Sequence, residues 1–283
     1  MKKTLLILTG FLLIFMLAAC GQTAKPVDNA QGNKEGKKET SALTLEEVFA
    51  KTTAASEDLK SFSVVMDMNM EMSSDQEESS MNMQSAIEMD AVTDPMAFHQ
   101  KMKMLMAGEE LETENYFSKD GMFMLDPTSG QWMKFPQEMT DVFLQTVDQQ
   151  QSNPAVQLKQ LEKFIGDFTF EQDDKQFILK LKASGDKFND FVKETVAASM
   201  PPELSQDEFL NNMNISSVDY EIFIDKKTFH PSVFNMNLEM EMTIEEQTIQ
   251  MKQELKSQYK NYNELETITI PQEVLDSAVE MPM

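Results

Sequence analysis

Methionine is the side chain with unusual chemical potential in this sequence: 25 of the 283 residues are Met, many spaced as Met-x-Met. The runs lie at Met66 to Met72, Met81–Met83, Met102 to Met106, Met122–Met124 and Met240–Met242. Three chemistries fit that spacing. Thioethers can serve as the apolar half of a strand pattern, although Val and Ile have better strand propensity. They are soft ligands for Cu(I), and alternate strand residues put several sulfurs on one face. Being unbranched and polarizable, they also suit a surface that remoulds around an ill-shaped apolar ligand. Copper ranks last, because His99 falls on the strand face opposite the methionines. Between packed core and ligand cavity the pattern is neutral. Met66, Met68, Met70, Met102, Met104 and Met106 are the candidates for lining such a cavity, with no metal or cofactor expected.

Other reactive groups are sparse. There are two histidines: His99 on a polar strand face and His230 in the turn Lys227-Thr228-Phe229-His230-Pro231. Neither has triad or HExxH spacing. With nine glycines the chain shows no phosphate-cradling loop. The acidic runs Asp75-Gln76-Glu77-Glu78 and Glu109 to Glu114 lack the Asp/Asn-Gly alternation of a calcium loop and read as solvated hairpin ends. No catalytic residue, and no enzyme, is expected. A formal net charge of −24 without a basic stripe argues against nucleic acid as a partner.

The methionines need strands to position them. Val64, Met66, Met68, Met70 and Met72 alternate with Asp67, Asn69 and Glu71. After the polar stretch Ser73 to Ser80, Met81, Met83, Ile87 and Met89 alternate with Asn82, Gln84, Glu88 and Asp90. Phe98, Met102, Met104 and Met106 oppose His99, Lys101 and Lys103. Period-two patterning of this kind places one face on a core and the other in water, as in an antiparallel sheet. Short strands follow at Tyr116–Phe117, Met122–Leu125 and Trp132–Phe135.

The middle of the chain changes period. A helix is expected over Thr44 to Leu59, and further helices over Pro136 to Gln151, Pro154 to Ile165, Asp186 to Met200 and Glu203 to Met213. Between them lies a hairpin, Phe168–Glu171 with Phe177–Lys182. Strand patterning returns at Val218 to Ile224, Val233 to Thr243 and Thr248 to Tyr262, with a last strand at Ile268 to Pro271. Strands, then helices, then strands favour an α+β fold over a parallel βαβ one.

Cys20 is the single cysteine, so no internal disulfide framework exists. Upstream stand Lys2 and Lys3 and an apolar run from Leu5 to Leu17, the two parts of a secretory signal and too short to span a bilayer. Leu17-Ala18-Ala19-Cys20 resembles the lipobox of bacterial lipoproteins. That resemblance implies cleavage before Cys20, acylation of its sulfur, and an N-terminal diacylglycerol anchor in the outer face of the cytoplasmic membrane. Two acyl chains suffice for stable anchoring where one does not. The chain thus divides into a signal peptide (1–19), a disordered tether (20–43) and one domain (44–283). As a flexible coil the tether would span about 25 Å.

The lipobox, the opening helix, the alternating strands, and Tyr116-Phe117-Ser118-Lys119-Asp120-Gly121-Met122-Phe123 with Gln131-Trp132-Met133-Lys134 resemble Gram-positive lipoproteins of uncharacterised function. These are similar in turn to the lipoprotein-carrier and mycobacterial glycolipid-carrier superfamily. The resemblance implies a large curved antiparallel sheet, an incomplete barrel, with helices covering its concave face. It also implies a lipid or lipidated ligand held in a Met/Phe-lined cavity. The second reading is a non-enzymatic sensory or interaction lipoprotein that binds another envelope protein through its sheet surface.

Overall fold

In the computed structural model the described residues are 21–27, 40–74, 80–146, 153–199, 210, 212–244 and 247–281. Long strands dominate. In chain order they are β1 (Lys25–Pro26), β2 (Ser61–Ser74), β3 (Ser80–Thr93), β4 (Met96–Met106), β5 (Glu109–Ser118), β6 (Gly121–Leu125), β7 (Trp132–Lys134), β8 (Phe168–Gln172), β9 (Gln176–Ala183), β10 (Met213–Asp225), β11 (Pro231–Ile244), β12 (Gln247–Lys260) and β13 (Val279–Glu280). The helices are α1 (Leu45–Glu57), α2 (Gln137–Thr146), α3 (Pro154–Gln160), α4 (Asp186–Ser199) and α5 (Gln272–Ser277); a 3-10 segment, Leu161–Asp167, follows α3.

All thirteen strands form one open sheet in the order β1-β8-β9-β10-β11-β12-β2-β3-β4-β5-β6-β7-β13. The two outermost pairs, β1 with β8 and β13 with β7, are parallel; every other pair is antiparallel. The architecture is therefore a mixed, mostly β fold that does not close into a barrel. The chain brings β12 back beside β2, so the first and last strand runs join at the sheet's centre.

Two small buried clusters lie apart, Phe62, Val64 and Ala91 on β2 and β3, and Tyr116 and Phe123 with Ile270 and Val274 on the opposite face; the largest cluster occupies one half of one face. There α1 contributes Leu45, Val48 and Phe49, α3 Leu158, the 3-10 segment Leu161 and Phe164, and α4 Phe188 and Phe191. They pack on Phe168, Phe170, Phe177, Leu179, Leu181, Ile222 and Phe234 from β8 to β11. Rings meet edge-on or tilted, as Phe49 with Phe168 at 5.6 Å and Phe164 with Phe188 at 5.0 Å, geometries that the aromatic quadrupole favours. Thr44 begins α1 with a capping box: its hydroxyl accepts from the Glu47 amide, and the Glu47 carboxylate accepts from the Thr44 amide. Both orphan donors are thereby satisfied.

Four local expectations are corrected. Residues 21–27 are not free tether. Thr23 bridges Thr44, Lys25–Pro26 pairs with β8, and Ala24 is buried. Gln172, 2% exposed, donates to the carbonyls of Ala24 and Ser41 and accepts from the Ser41 amide, binding both arms of the intervening stretch. Glu109 to Glu114 is more than a solvated hairpin end: it begins directly after the turn at 107–108, its first four residues are exposed, and it continues as the ten-residue strand β5 with acids facing lysines of β4, Lys101 with Glu114 at 3.7 Å and Lys103 with Glu112. The last strand, expected at Ile268 to Pro271, is replaced by an extended stretch, α5 and the short β13. Finally, Met213 opens β10 rather than ending a helix; most of the expected helix Glu203 to Met213 lies outside the described residues.

Two outcomes follow from these contacts. Gln172→Ala removes the side-chain partner of one buried and two half-buried main-chain groups and should cost about 1–3 kcal/mol, with faster hydrogen exchange at the Val27 and Ser41 amides as the local readout. His230 stacks on Tyr262 at 4.3 Å, and its burial holds the imidazole below its ordinary value of 6.5, against the pull of Asp225. The unfolded chain then takes up the proton first on acidification, so stability should begin to fall as pH drops through about 6.5. Denaturant titrations at stepped pH should show that loss diminished in His230→Gln.

Candidate functional site

Strand register decides which methionines meet. Directly opposed residues share a face, so three successive rows can be read across β2, β3 and β4. They are Met66–Ile87–Met102, Met68–Ser85–Met104 and Met70–Met83–Met106. All six sequence candidates therefore stand on one face, in the two columns flanking β3. Met66, Met68, Met70, Met102 and Met104 are half-buried and Met106 is exposed. A further row runs Met240–Met251–Met72–Met81 across β11, β12, β2 and β3. Along it exposure rises from 8% at Met240 to 50% at Met81. The thioether face thus starts in the helix-covered core and emerges into solvent.

The opposite face carries the charge. Lys180 bridges Glu171 at 3.3 Å and Glu221 at 3.6 Å, Lys252 meets Glu239 at 3.4 Å, and Lys256 meets Glu254 at 2.7 Å. Each such exposed pair is worth at most about 1 kcal/mol, but together they neutralise cations that would otherwise seek outside partners. His99 belongs here: its Nε2 lies 2.6 Å from Glu114, and its ring stacks on Tyr116 at 4.3 Å. Burial alone would raise the Glu114 carboxyl; hydrogen bonds from His99 and Tyr116 and the charge of Lys101 outweigh it and hold the group below its ordinary value. Burial and the bond to Glu114 push the Tyr116 phenol up to about 12. His99, Glu114 and Tyr116 thus form a partly buried, mutually hydrogen-bonded cluster beside Ile270 and Val274.

Two open clefts border the methionine rows. One, of about 730 Å³, lies at the hairpin tips and is lined by Met72, Met81, Asn82, Leu105, Gln247 and Ile249 among others. The other, about 360 Å³, opens between Asp67, Asn69, Lys103, Glu110 and Lys256 and borders Met68 and Met104. Among the described residues no three His, Cys, Asp or Glu side chains gather as a metal site would require.

Ser85 interrupts the alternation of β3, a polar residue on the apolar face. Its neighbours are Met68 and Met104 across the strands, Met83 and Ile87 along its own, and Met66, Met70, Met102 and Met106 at the corners. It is 5% exposed, and its hydroxyl has no hydrogen-bond partner. The alternation marks it as a polar residue in an apolar phase, but which side chains surround it depends on the two flanking strands.

Residues 44–279 match the model of DUF6612, a family of unknown function. That span takes in the sheet from β2 to β12 and every helix, and the chain belongs to this family. A search of curated proteins returns no match. Among solved structures, a β-barrel-like protein of the DUF1849 family from Brucella abortus aligns at 9% identity and TM-score 0.21, covering 71% of this chain and 98% of that one. An S-type phycobiliprotein lyase from Guillardia theta aligns at 7% identity and TM-score 0.21, covering 77% and 93%. A DUF1329 family protein from Desulfovibrio piger aligns at 7% identity and TM-score 0.23, covering 79% and 95%. Likenesses this loose carry no argument about what the chain binds.

An unpartnered buried hydroxyl is a cost to the unliganded fold. Ser85→Ala should raise stability by about 1 kcal/mol, moving Tm up by about 2–4 °C, as checked by thermal and urea unfolding of the ligand-free protein.

Proposed function

We propose that the protein is a membrane-anchored extracytoplasmic lipoprotein that holds a lipid or lipidated ligand against the methionine-rich half of its apolar sheet face. One observation carries this reading: the thioether row that begins in the core at Met240, crosses β12 at Met251, and spreads, half-exposed, over β2, β3 and β4. A monomer rarely leaves so contiguous an apolar strip open to water without using it. Burial of ligand would contribute about 25 cal/mol per Å² before ordering costs, and flexible thioethers can follow alkyl chains of varied shape. The resemblance to the lipoprotein-carrier and glycolipid-carrier superfamily points the same way.

Anchoring is assigned to Cys20, on its lipobox-like surroundings. No helix among the described residues is long and apolar enough to cross a membrane. Gly21 lies against the start of α1 so closely that a Cβ there would come within 2.7 Å of the Thr44 methyl. An acylated Cys20 would therefore sit one peptide unit, about 3.8 Å between Cα atoms, from the folded domain. The anchor would be short and the domain would ride directly on the bilayer surface. Its charged face and its apolar face would then keep a set relation to the membrane.

Native mass spectrometry of the chain from Gly21 onward, purified without denaturant, should show stoichiometric lipid. Met68→Asp with Met104→Asp should remove it from a folded protein; full retention would defeat the surface assignment. A clean ligand-free mass for the unmutated chain would favour the second reading, an envelope-protein partner bound through the sheet. Separately, Cys20→Ser should shift the protein from the membrane fraction to the medium.

A further inference from the structure

We infer that Ser85 is the polar recognition point of the methionine face, and that its ligand presents one uncharged oxygen, a hydroxyl or an ester carbonyl, on an alkyl chain. The inference rests on the reading of that face as a ligand surface, and it narrows the ligand's chemistry.

Three observations meet at this position. The first is the unmade bond. Ser85 is 5% exposed and its hydroxyl has no partner, a state that buried polar groups seldom keep unless something else completes them. The second is shape: serine is the smallest side chain in its three-by-three block, surrounded by seven methionines and Ile87. It forms a notch walled by side chains that can swing aside at low cost. The third is charge. Every lysine on β4 and β12 near this block, namely Lys101, Lys103, Lys252 and Lys256, alternates to the opposite face, where Lys101, Lys103, Lys252 and Lys256 each lie within ion-pair distance of an acid. The nearest charge in register on the apolar face is Glu109, opposite Met106.

These constraints select the ligand's polar group. A carboxylate or phosphate placed at Ser85 would be an unpaired charge in apolar surroundings, which costs far more than one hydroxyl returns. A pure hydrocarbon would leave the serine unsatisfied. A neutral oxygen fits both: Ser85 donates to an ester carbonyl, or exchanges donor and acceptor roles with an alcohol, while the chain lies along the thioethers. Gln253, whose amide donates to the Met68 sulfur at 3.4 Å, shows that the same face accommodates a neutral polar group.

The test is displacement of the neutral fluorophore N-phenyl-1-naphthylamine from the chain that starts at Gly21, using 1-decanol, methyl decanoate and decanoate at pH 8. The alcohol and the ester should displace it at concentrations about tenfold lower than the anion. Ser85→Ala should weaken alcohol and ester by about 5–10-fold, the scale of one lost hydrogen bond, while fluorophore and decanoate binding stay unchanged. Ser85→Thr, which keeps the hydroxyl, should restore preference for the alcohol over the anion. If Ser85→Ala binds decanol as the parent does, with fluorophore binding intact, Ser85 is not the recognition point and the ligand surface stands. Equal affinity for decanoate and decanol overturns the neutral class. Failure of the parent chain to bind the fluorophore or any of the three removes the ligand surface and this inference with it.

Discussion

The whole architecture depends on one constraint: a sheet thirteen strands wide presents more apolar face than its helices cover. Burial of that face drives folding, and over β8 and β9 the covering is complete, with phenylalanines from α1, α4 and the 3-10 segment filling the gap. Toward β2, β3 and β4 the same face continues as methionine, half-buried and then exposed. The change of residue type follows the change of surroundings. Phenylalanine packs rigidly where the partner is fixed; methionine suits a face whose partner changes shape or comes and goes.

The opposite face is managed differently. Long strands rich in acids would repel one another, yet lysines on β4, β9 and β12 stand across from acids on the neighbouring strands. Glu112 and Glu114 thus become strand residues rather than loop residues. The outer edges of the sheet end in very short parallel strands, β1 and β13, which limits the unpaired edge available for unwanted association. At the β8 edge, Gln172 adds a buried side-chain clip that ties the first described residues to the domain. An anchor at Cys20 would pass its constraint straight into the sheet.

Much of this was legible in the sequence. Residues alternating at period two, as from Val64 to Met72, must divide between two faces whatever their partners, and the Thr44 and Glu47 pair announces a helix start by its own chemistry. The long strands, the helix α1 and the shared face of the six methionines follow from such local rules. What escaped were features whose cause lies far along the chain. Residues 21–27 read as tether because they carry almost no large apolar side chain, but their order comes from main-chain pairing with β8 and from Gln172, nearly 150 positions away. The strand at Ile268 to Pro271 failed for the converse reason: apolar, β-branched residues bury Ile270 against Tyr116 and Phe123 without a strand to pair with.

The amino-acid sequence by itself determined the two-faced strands, the acidic surface, the lone cysteine with its lipobox-like flank and the choice of thioethers for one face. Those are properties of composition and local spacing, present before any contact forms. Only the tertiary structure decided which strands became neighbours, and with that it placed Ser85 inside a ring of methionines, paired the acids of β5 with the lysines of β4, and left the methionine part of the apolar face partly exposed. The physical reason is register: a residue's neighbours across a sheet are set by pairing between distant segments, and no period within a single strand encodes them.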